Sequence, residues 1–260
     1  MTGTGTDTRT SEDKEYVAGL EKGLAIIEAF GIRNGALTLT EAADITGHTR
    51  ASARRSLLTL QRLGYVEAEG RYFRLAPRVL RLGHAYVTST SMPKLVQPIL
   101  EATSERTRES SSLAVLDGTD AVFVARAATR RSLSNGLGLG SRLPAYCAAT
   151  GRVLLAALPE QEAERLLKRM GRHRLTPHTR TDLAVLMSLL EDVRNQGYAV
   201  SNEELELGLR SIAVPIRDAG GRTVASMSLV AAASRYSLDK MIGTLLPELE
   251  SARRMLGSLL

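Results

Sequence analysis

Apolar positions recur along this chain with two different periods, and the switches between them outline its elements. In GLEKGLAIIEAF (19–30), Leu20, Leu24 and Ile27, with Ile26 and Phe30 beside them, fall at helical spacing and predict a helix with one buried face. In LTLTEAADITG (37–47), Thr40 offers an N-cap, Ala42, Ala43 and Ile45 a short apolar face, and Gly47 a stop. TRASARRSLLTLQRLGY (49–65) predicts a longer helix ending at Gly64, and VEAEGRYFRL (66–75) two strands turning at Glu69-Gly70. Residues 77–109 predict a helix, a break near Pro93 and a second amphipathic helix. From 111 the texture changes: SSLAVLDGTDAVFVARA reads as a hairpin around Asp117-Gly118. PEQEAERLLKRM and TRTDLAVLMSLLEDVRNQGYAV predict helices, RSIAVPIRD and RTVASMSLVAAAS strands joined by AGG, and 238–260 a closing helix. Strands and helices mix without strict alternation, so the expected class is α+β with a largely antiparallel sheet.

These elements fall into a disordered Thr/Gly/Asp-rich tail (1–15), a first module (16–76), a linker helix (77–91) and a second domain (92–260). With 260 residues and 43% hydrophobic content, the chain can bury the core of one large domain or two ordinary ones. A formal net charge of +6 and a pI near 9.7 suggest a polyanionic partner. A single cysteine excludes an intrachain disulfide and fits a reducing compartment. The N-terminus is too polar for a signal peptide, and no apolar run reaches the roughly 20 residues of a membrane span. The expectation is a cytoplasmic protein with no membrane partner. With no Trp and 3 Phe, recognition of single strands by base stacking is disfavoured.

The helix at 49–65 carries the first candidate site. Ala53, Leu57 and Leu60 form one stripe, while Arg55, Arg62, Ser52 and Thr59 fall on or near the opposite side. Arg50 and Arg54 add to the charge, and no acid offsets it between 49 and 62. An apolar face backing a cationic, hydroxyl-bearing one suits the DNA major groove, where Arg reaches guanine or phosphate and Ser/Thr bond phosphates or bases. The helix start at His48, Thr49 and Arg50 offers backbone donors to a phosphate. Arg71 and Arg74, around Gly70, would reach along the minor groove as a wing. Thr38 and Thr40, opening the preceding helix, complete the candidate DNA-contacting set. Any solvated helix bears charge outward; the missing acids, the helix-turn-helix upstream and the wing downstream weigh against that reading.

The second candidate is SNGLGLGSRLPAYCAATGRVLLAAL (134–158). GLGLGS is G-x-G-x-G without a dinucleotide-binding strand–helix frame, and no Gly-Lys-Ser/Thr follows, so a nucleotide site is disfavoured. Gly136–Gly140 would instead let the chain bend out of a strand and pass close to a ligand or the next strand. The following helix starts near Ala148–Gly151 with small side chains and free N–H groups, a natural carboxylate receptor. Arg142 is either a counter-ion for an anionic ligand or a surface arginine. Cys147 as a nucleophile would need a base, and none of His48, His84, His173 or His178 is placed beside it by the sequence, so a small semi-buried cysteine is the better reading. The two histidines of HRLTPH lack the partners of a metal site. Among Glu203, Glu204 and Glu206, Glu204 reads as a structural contact and the others as solvated. No catalytic residue, metal or cofactor is expected.

YVAGLEKGLAIIEAF and LTLTEAADITGHTRASARRSLLTLQRLGYVEAEGRYFRL resemble the winged helix-turn-helix of the IclR family of bacterial transcriptional regulators. GYAVSNEELELGLRSIAVPIRD (197–218) is similar to that family's C-terminal signature through Gly197, Ser201, Glu204 and Ser211-Ile212-Ala213, departing at Arg217, where an aromatic residue or His is usual. TRASARRSLLTL, ESSSLAVLDG and GSRLPAYCAATGRVLLAALP most resemble the branch controlling aromatic-acid breakdown through the β-ketoadipate pathway, the PcaR, PcaU and PobR type. The resemblance implies a winged helix-turn-helix, a linker helix and a GAF-like α+β effector domain. It further implies a double-stranded operator, a small carboxylate effector, and a dimer or dimer of dimers. The ligand would sit against Ala149 and Thr150, the loop at Ser201, and the strands at Ser211 and Ser228. Relatives that bind simple keto acids tend to have an acid or cysteine at the positions of Ser201 and Ser211, so serines there suggest a different ligand. Regulation by a keto acid or sugar acid is the alternative; an enzyme with a DNA-binding appendage, or an architectural DNA binder, ranks below both.

Overall fold

A computed structural model describes residues 16–32, 35–129 and 137–257. The expected tail (1–15) and Gly136 lie outside the described residues. The chain divides into two compact units between Ala85 and Tyr86.

The first unit runs α1 (Ala18–Ile32), β1 (Leu37–Thr38), α2 (Leu39–Thr46), α3 (Arg50–Arg62), β2 (Val66–Glu69) and β3 (Tyr72–Leu75), then a 3-10 turn at Pro77–Val79. Ile26, Ala29 and Phe30 of α1 pack with Leu37, Ala42, Ala43, Ala53, Leu57, Leu60 and Val66 into one core. Leu20 and Leu24, predicted to share that buried face, are 63% and 47% exposed and border a groove between α1 and α3. Two overlapping helical stripes exist in α1, and the one carrying Phe30 wins because it meets α2 and α3. The cap of α2 is Thr38 rather than Thr40: Thr38 is extended, its hydroxyl accepts from the Glu41 N–H, and the Glu41 carboxylate accepts from the Thr38 N–H at 2.9 Å. That reciprocal capping box requires Glu three residues after the cap, a spacing Thr38 has and Thr40 lacks. Gly47, at φ 66°, closes the helix in the left-handed region. Leu37 and Thr38 also pair with Phe73 and Tyr72, so the predicted hairpin gains a third strand too short to show alternation.

Helix α4 (Leu80–Ser89) crosses the division between the units. The break predicted near Pro93 falls at Thr90. Pro93 lies in the first turn of α5 (Ser91–Thr107), where a missing N–H costs no intrahelical bond. The second unit continues with β4 (Ser110–Asp117), β5 (Asp120–Ala127), β6 (Arg142–Pro144), α6 (Ala149–Ala156), α7 (Glu160–Arg169), α8 (Leu183–Gln196), β7 (Ala199–Asn202), β8 (Leu209–Arg217), β9 (Thr223–Ala232), α9 (Leu238–Thr244) and α10 (Leu246–Gly257). Its sheet runs β6-β5-β4-β9-β8-β7, every neighbouring pair antiparallel. On one face, Leu113, Ile212, Val214, Met227 and Leu229 pack with Leu100 of α5 and Leu249 and Leu256 of α10. On the other, Ala199 and Ala213 pack with α6, backed by α7 and α8. The helix predicted to run through GYAV stops at Gly197, φ 81°, and the residues after it form edge strand β7. The closing helix is two helices, α9 and α10, meeting at Leu245. No helix among the described residues is long and apolar enough to cross a membrane.

Candidate functional site

Helix α3 is capped by Thr49, whose hydroxyl accepts from the Ser52 N–H at 3.3 Å. Ala53, Leu57 and Leu60 are buried, and Arg50, Arg54, Arg55, Arg62 and Thr59 are exposed. None of those four arginines forms an ion pair among the described residues. Ser52 is a correction: predicted on or near the outer side, it is 8% exposed, because it stands four and eight residues before Ser56 and Leu60 on the inward row. The Thr59 hydroxyl donates to the Arg55 carbonyl at 2.8 Å. His48 is half-buried; its backbone N–H donates to the Ala43 carbonyl, closing the turn between α2 and α3, and its buried Nε2 has no hydrogen-bond partner among the described residues. Thr38 spends its hydroxyl in the capping box, and Thr40 is half-buried within α2. At the wing tip, Gly70 takes φ 60°, Arg71 donates to the Tyr72 hydroxyl at 2.9 Å and lies over its ring, and Arg74 stands 3.6 Å from Glu69 with both side chains exposed. An exposed pair of that length holds Arg74 weakly.

In the second unit α6 is buried along its whole length and begins at Ala148 without a side-chain cap. A helix leaves its first N–H groups without internal acceptors, and here they belong to Ala149, Thr150 and Gly151. A Cβ on Gly151 would lie 2.2 Å from the Ala145 Cα, so only glycine lets this turn pack against the preceding loop. Arg152, one residue on, is 2% exposed. Its Nη1 and Nη2 donate to the two Glu204 carboxylate oxygens at 2.7 and 2.6 Å, and its Nε donates to the Tyr146 carbonyl. Glu204 also accepts from the Arg180 N–H, and its carbonyl accepts from the Thr179 hydroxyl. The Ser201 hydroxyl donates to the Cys147 carbonyl at 2.7 Å. Ser201 belongs to strand β7 rather than to a loop. These bonds fasten the start of α6 to the end of β7.

Cross-strand register sets Ser201 opposite Ser211 and Ala213 opposite Ser228. Opposed residues share a face of the sheet, and Ala213 marks this face as the one α6 covers. Thr150 and Ser228, 4% and 1% exposed, make no side-chain hydrogen bond among the described residues. Burial pushes the Cys147 thiol up to about 12 and the neighbouring Tyr146 phenol likewise to about 12, the latter donating to the His173 carbonyl at 2.6 Å. Arg142 is spoken for elsewhere: β6 pairs with the turn end of β5, and the guanidinium binds Asp117 at 2.6 Å and Asp120 at 3.0 Å on the surface. Among the described residues no group of three His, Cys, Asp or Glu is arranged to hold a metal ion.

Two family models cover the chain: the IclR helix-turn-helix domain over residues 19–70, and the bacterial transcriptional regulator IclR C-terminal domain over residues 84–256. The chain belongs to the IclR family. As an IclR-family member it is a DNA-binding transcriptional regulator. It is 38% identical to the Pca operon regulatory protein of Acinetobacter baylyi, over 98% of this chain and 93% of that one. It is 39% identical to the p-hydroxybenzoate hydroxylase transcriptional activator of the same organism, over 95% and 93%. Among solved structures it is similar to a double mutant of the PobR inducer-binding domain from Acinetobacter, in complex with 3-hydroxybenzoic acid. That match has a TM-score of 0.61 at 35% identity, covering 65% of this chain and 98% of that one.

Within this IclR-type effector unit, sequence reasoning placed Glu204 as a structural contact but passed over its partner. Arg152 sits in ATGRVLLA, and a cation in an otherwise uncharged buried helix must be met by an acid. That rule points from Arg152 to an acid, and Glu203, Glu204 and Glu206 were the run to test.

Proposed function

We propose that this IclR-family protein binds operator DNA through α3 and the β2–β3 wing, and that a small aromatic carboxylic acid held beneath α6 sets how tightly. The observation that carries the reading is a pair of hydroxyls with no side-chain hydrogen bond among the described residues, Thr150 in the first turn of α6 and Ser228 on the sheet face it covers. Each hydroxyl can donate to and accept from a ligand oxygen. The uncapped N–H groups at Ala149–Gly151 favour an anion or a polarised oxygen there, and Ser201 and Ser211 extend the polar wall. An aromatic acid of the β-ketoadipate route is supported by the Pca operon and p-hydroxybenzoate relatives and by the hydroxybenzoate complex of the PobR domain.

At the operator, Arg50, Arg54 and Arg55 with Thr49 and Thr59 face the major groove, and Arg71 and Arg74 follow the minor groove. Ser52 and His48 support the turn from inside. One winged unit offers too little contact for tight specific binding, so a dimer on a pseudo-palindrome is the working form, with a dimer of dimers as the larger assembly. The protein acts by binding, in the cytoplasm beside its operator. Cys147 is protonated at neutral pH and Glu204 is engaged by Arg152, which leaves neither as a nucleophile or base.

Fluorescence anisotropy on a labelled operator duplex selected from random-sequence DNA tests the two-unit assignment. Arg55→Ala is expected to weaken operator binding while 4-hydroxybenzoate binding, followed by calorimetry, stays unchanged. Equal loss of both would overturn it.

A further inference from the structure

We infer that Leu58, on the outward row of α3, reads a thymine in the operator by burying its side chain against the thymine 5-methyl group. The inference rests on the α3 operator reading above and adds to it a contact that determines sequence.

Helical geometry places the residue. At about 100° per residue, Ala51, Arg55, Leu58 and Arg62 fall within about 60° of one another, opposite the row of Ala53, Leu57 and Leu60 that builds the core. All four are exposed, as are Arg50 and Arg54 on one flank of this outward row and Thr59 on the other. Where such a helix enters the major groove, the centre of its outward row meets base edges and its flanks meet phosphates. Arg50 and Arg54 therefore position the helix, while Arg55 and Leu58 face the bases.

Leu58 is 40% exposed and takes no part in the core of the first unit. Of the outward row only Arg55 borders the groove between α1 and α3, so that groove leaves Leu58 to a different partner. A single exposed leucine is ordinary on a protein surface. This one stands in the middle of a face that carries four arginines and no acid between 49 and 62. Its side chain has neither donor nor acceptor, so it can bond no phosphate and no polar base edge. The apolar group that the major groove presents is the thymine 5-methyl, and contact takes both out of water. Arg55 and Leu58 are separated by about 4.5 Å along the helix axis, close to one base-pair step of about 3.4 Å. A guanine taken by Arg55 and a thymine taken by Leu58 fit neighbouring base pairs. Ala51, one turn before Arg55, is small enough to let the helix sit deep in the groove.

A duplex selected from random-sequence DNA with the wild-type full chain supplies the probe, and fluorescence anisotropy reads the affinity. Deoxyuridine in place of each thymine in turn deletes the 5-methyl group and leaves the hydrogen bonds of the base pair unchanged. One thymine position is expected whose replacement in both half-sites weakens wild-type binding by roughly ten-fold, the equivalent of two buried methyl groups. Leu58→Ala is expected to bind the thymine and deoxyuridine duplexes within about two-fold of each other, since the cycle removes the coupled partner. Leu58→Met, which keeps an apolar tip, is expected to retain the discrimination. Should Leu58→Ala fail to fold, as judged by its melting transition, Leu58→Gln is read in the same way. No thymine whose methyl group matters to the wild type, or an equal loss in Leu58→Ala on the same replacement, overturns the inference and leaves the operator reading standing. A pool from which no sequence is enriched, or an Arg55→Ala protein that binds the selected duplex as tightly as the wild type, overturns both.

Discussion

Gly151 is the residue whose replacement has the clearest consequence. A methyl group there would overlap the Ala145 backbone, and the loop cannot retreat because Ser201 and Arg152 bind the carbonyls of Cys147 and Tyr146. Gly151→Ala should cost about 1–3 kcal/mol, lower the melting temperature by several degrees and weaken effector binding, read by calorimetry and circular dichroism. Glu204→Gln leaves the Arg152 guanidinium buried without its countercharge and should cost about 3–5 kcal/mol, more than any surface ion pair of this chain. Thr38→Ala should destabilise the first unit by about 1 kcal/mol, whereas Thr40→Ala should cost less, because only Thr38 closes the capping box. Cys147 is buried, and its thiol is pushed up to about 12, so it should resist iodoacetamide at pH 8 until the chain is denatured. The sign follows from that shift: the fold prefers the protonated thiol, so its contribution to stability is intact below pH 9 and is lost as pH rises toward 12.

At the scale of elements, the sequence was legible wherever one pattern ran unopposed. The stripe Ala53, Leu57, Leu60 against four arginines with no acid between 49 and 62 set α3 and its orientation, and Asp117-Gly118 and Glu69-Gly70 marked both hairpins. Helix α1 was harder, because Leu20 and Leu24 fit the helical period as well as Ile26 and Phe30 do, and only packing against α2 and α3 chooses between them. Strands β1 and β6, of two and three residues, are too short to alternate. The α6–sheet face was half legible: AATG announced the helix start, but Arg152, the cation that fastens α6 to Glu204, sits inside the apolar run ATGRVLLA. Its burial and its pairing with a residue 52 positions away cannot be read from spacing. For α3 itself, Arg54→Ala should weaken binding to operator and non-operator DNA alike if it meets phosphate, and lower the slope of log affinity against log salt by about one.

For the molecule as a whole, on the proposed reading the α3 arginines of the first unit take the DNA and the second unit takes the effector. Coupling between them requires the acid to bind more tightly to one arrangement of the protein than to the other. The acid therefore has to bind first, and specifically. The most direct measurement is a thermal-shift series on the full chain with protocatechuate, 4-hydroxybenzoate, β-ketoadipate, pyruvate and glyoxylate, at matched pH and ionic strength. A ligand at a hundred times its dissociation constant adds about 2.7 kcal/mol, enough to raise the melting point by several degrees. A rise with an aromatic acid, and none with pyruvate or glyoxylate, is the expected result. A rise with the keto acids alone, or with none of the five, would contradict an aromatic-acid effector beneath α6.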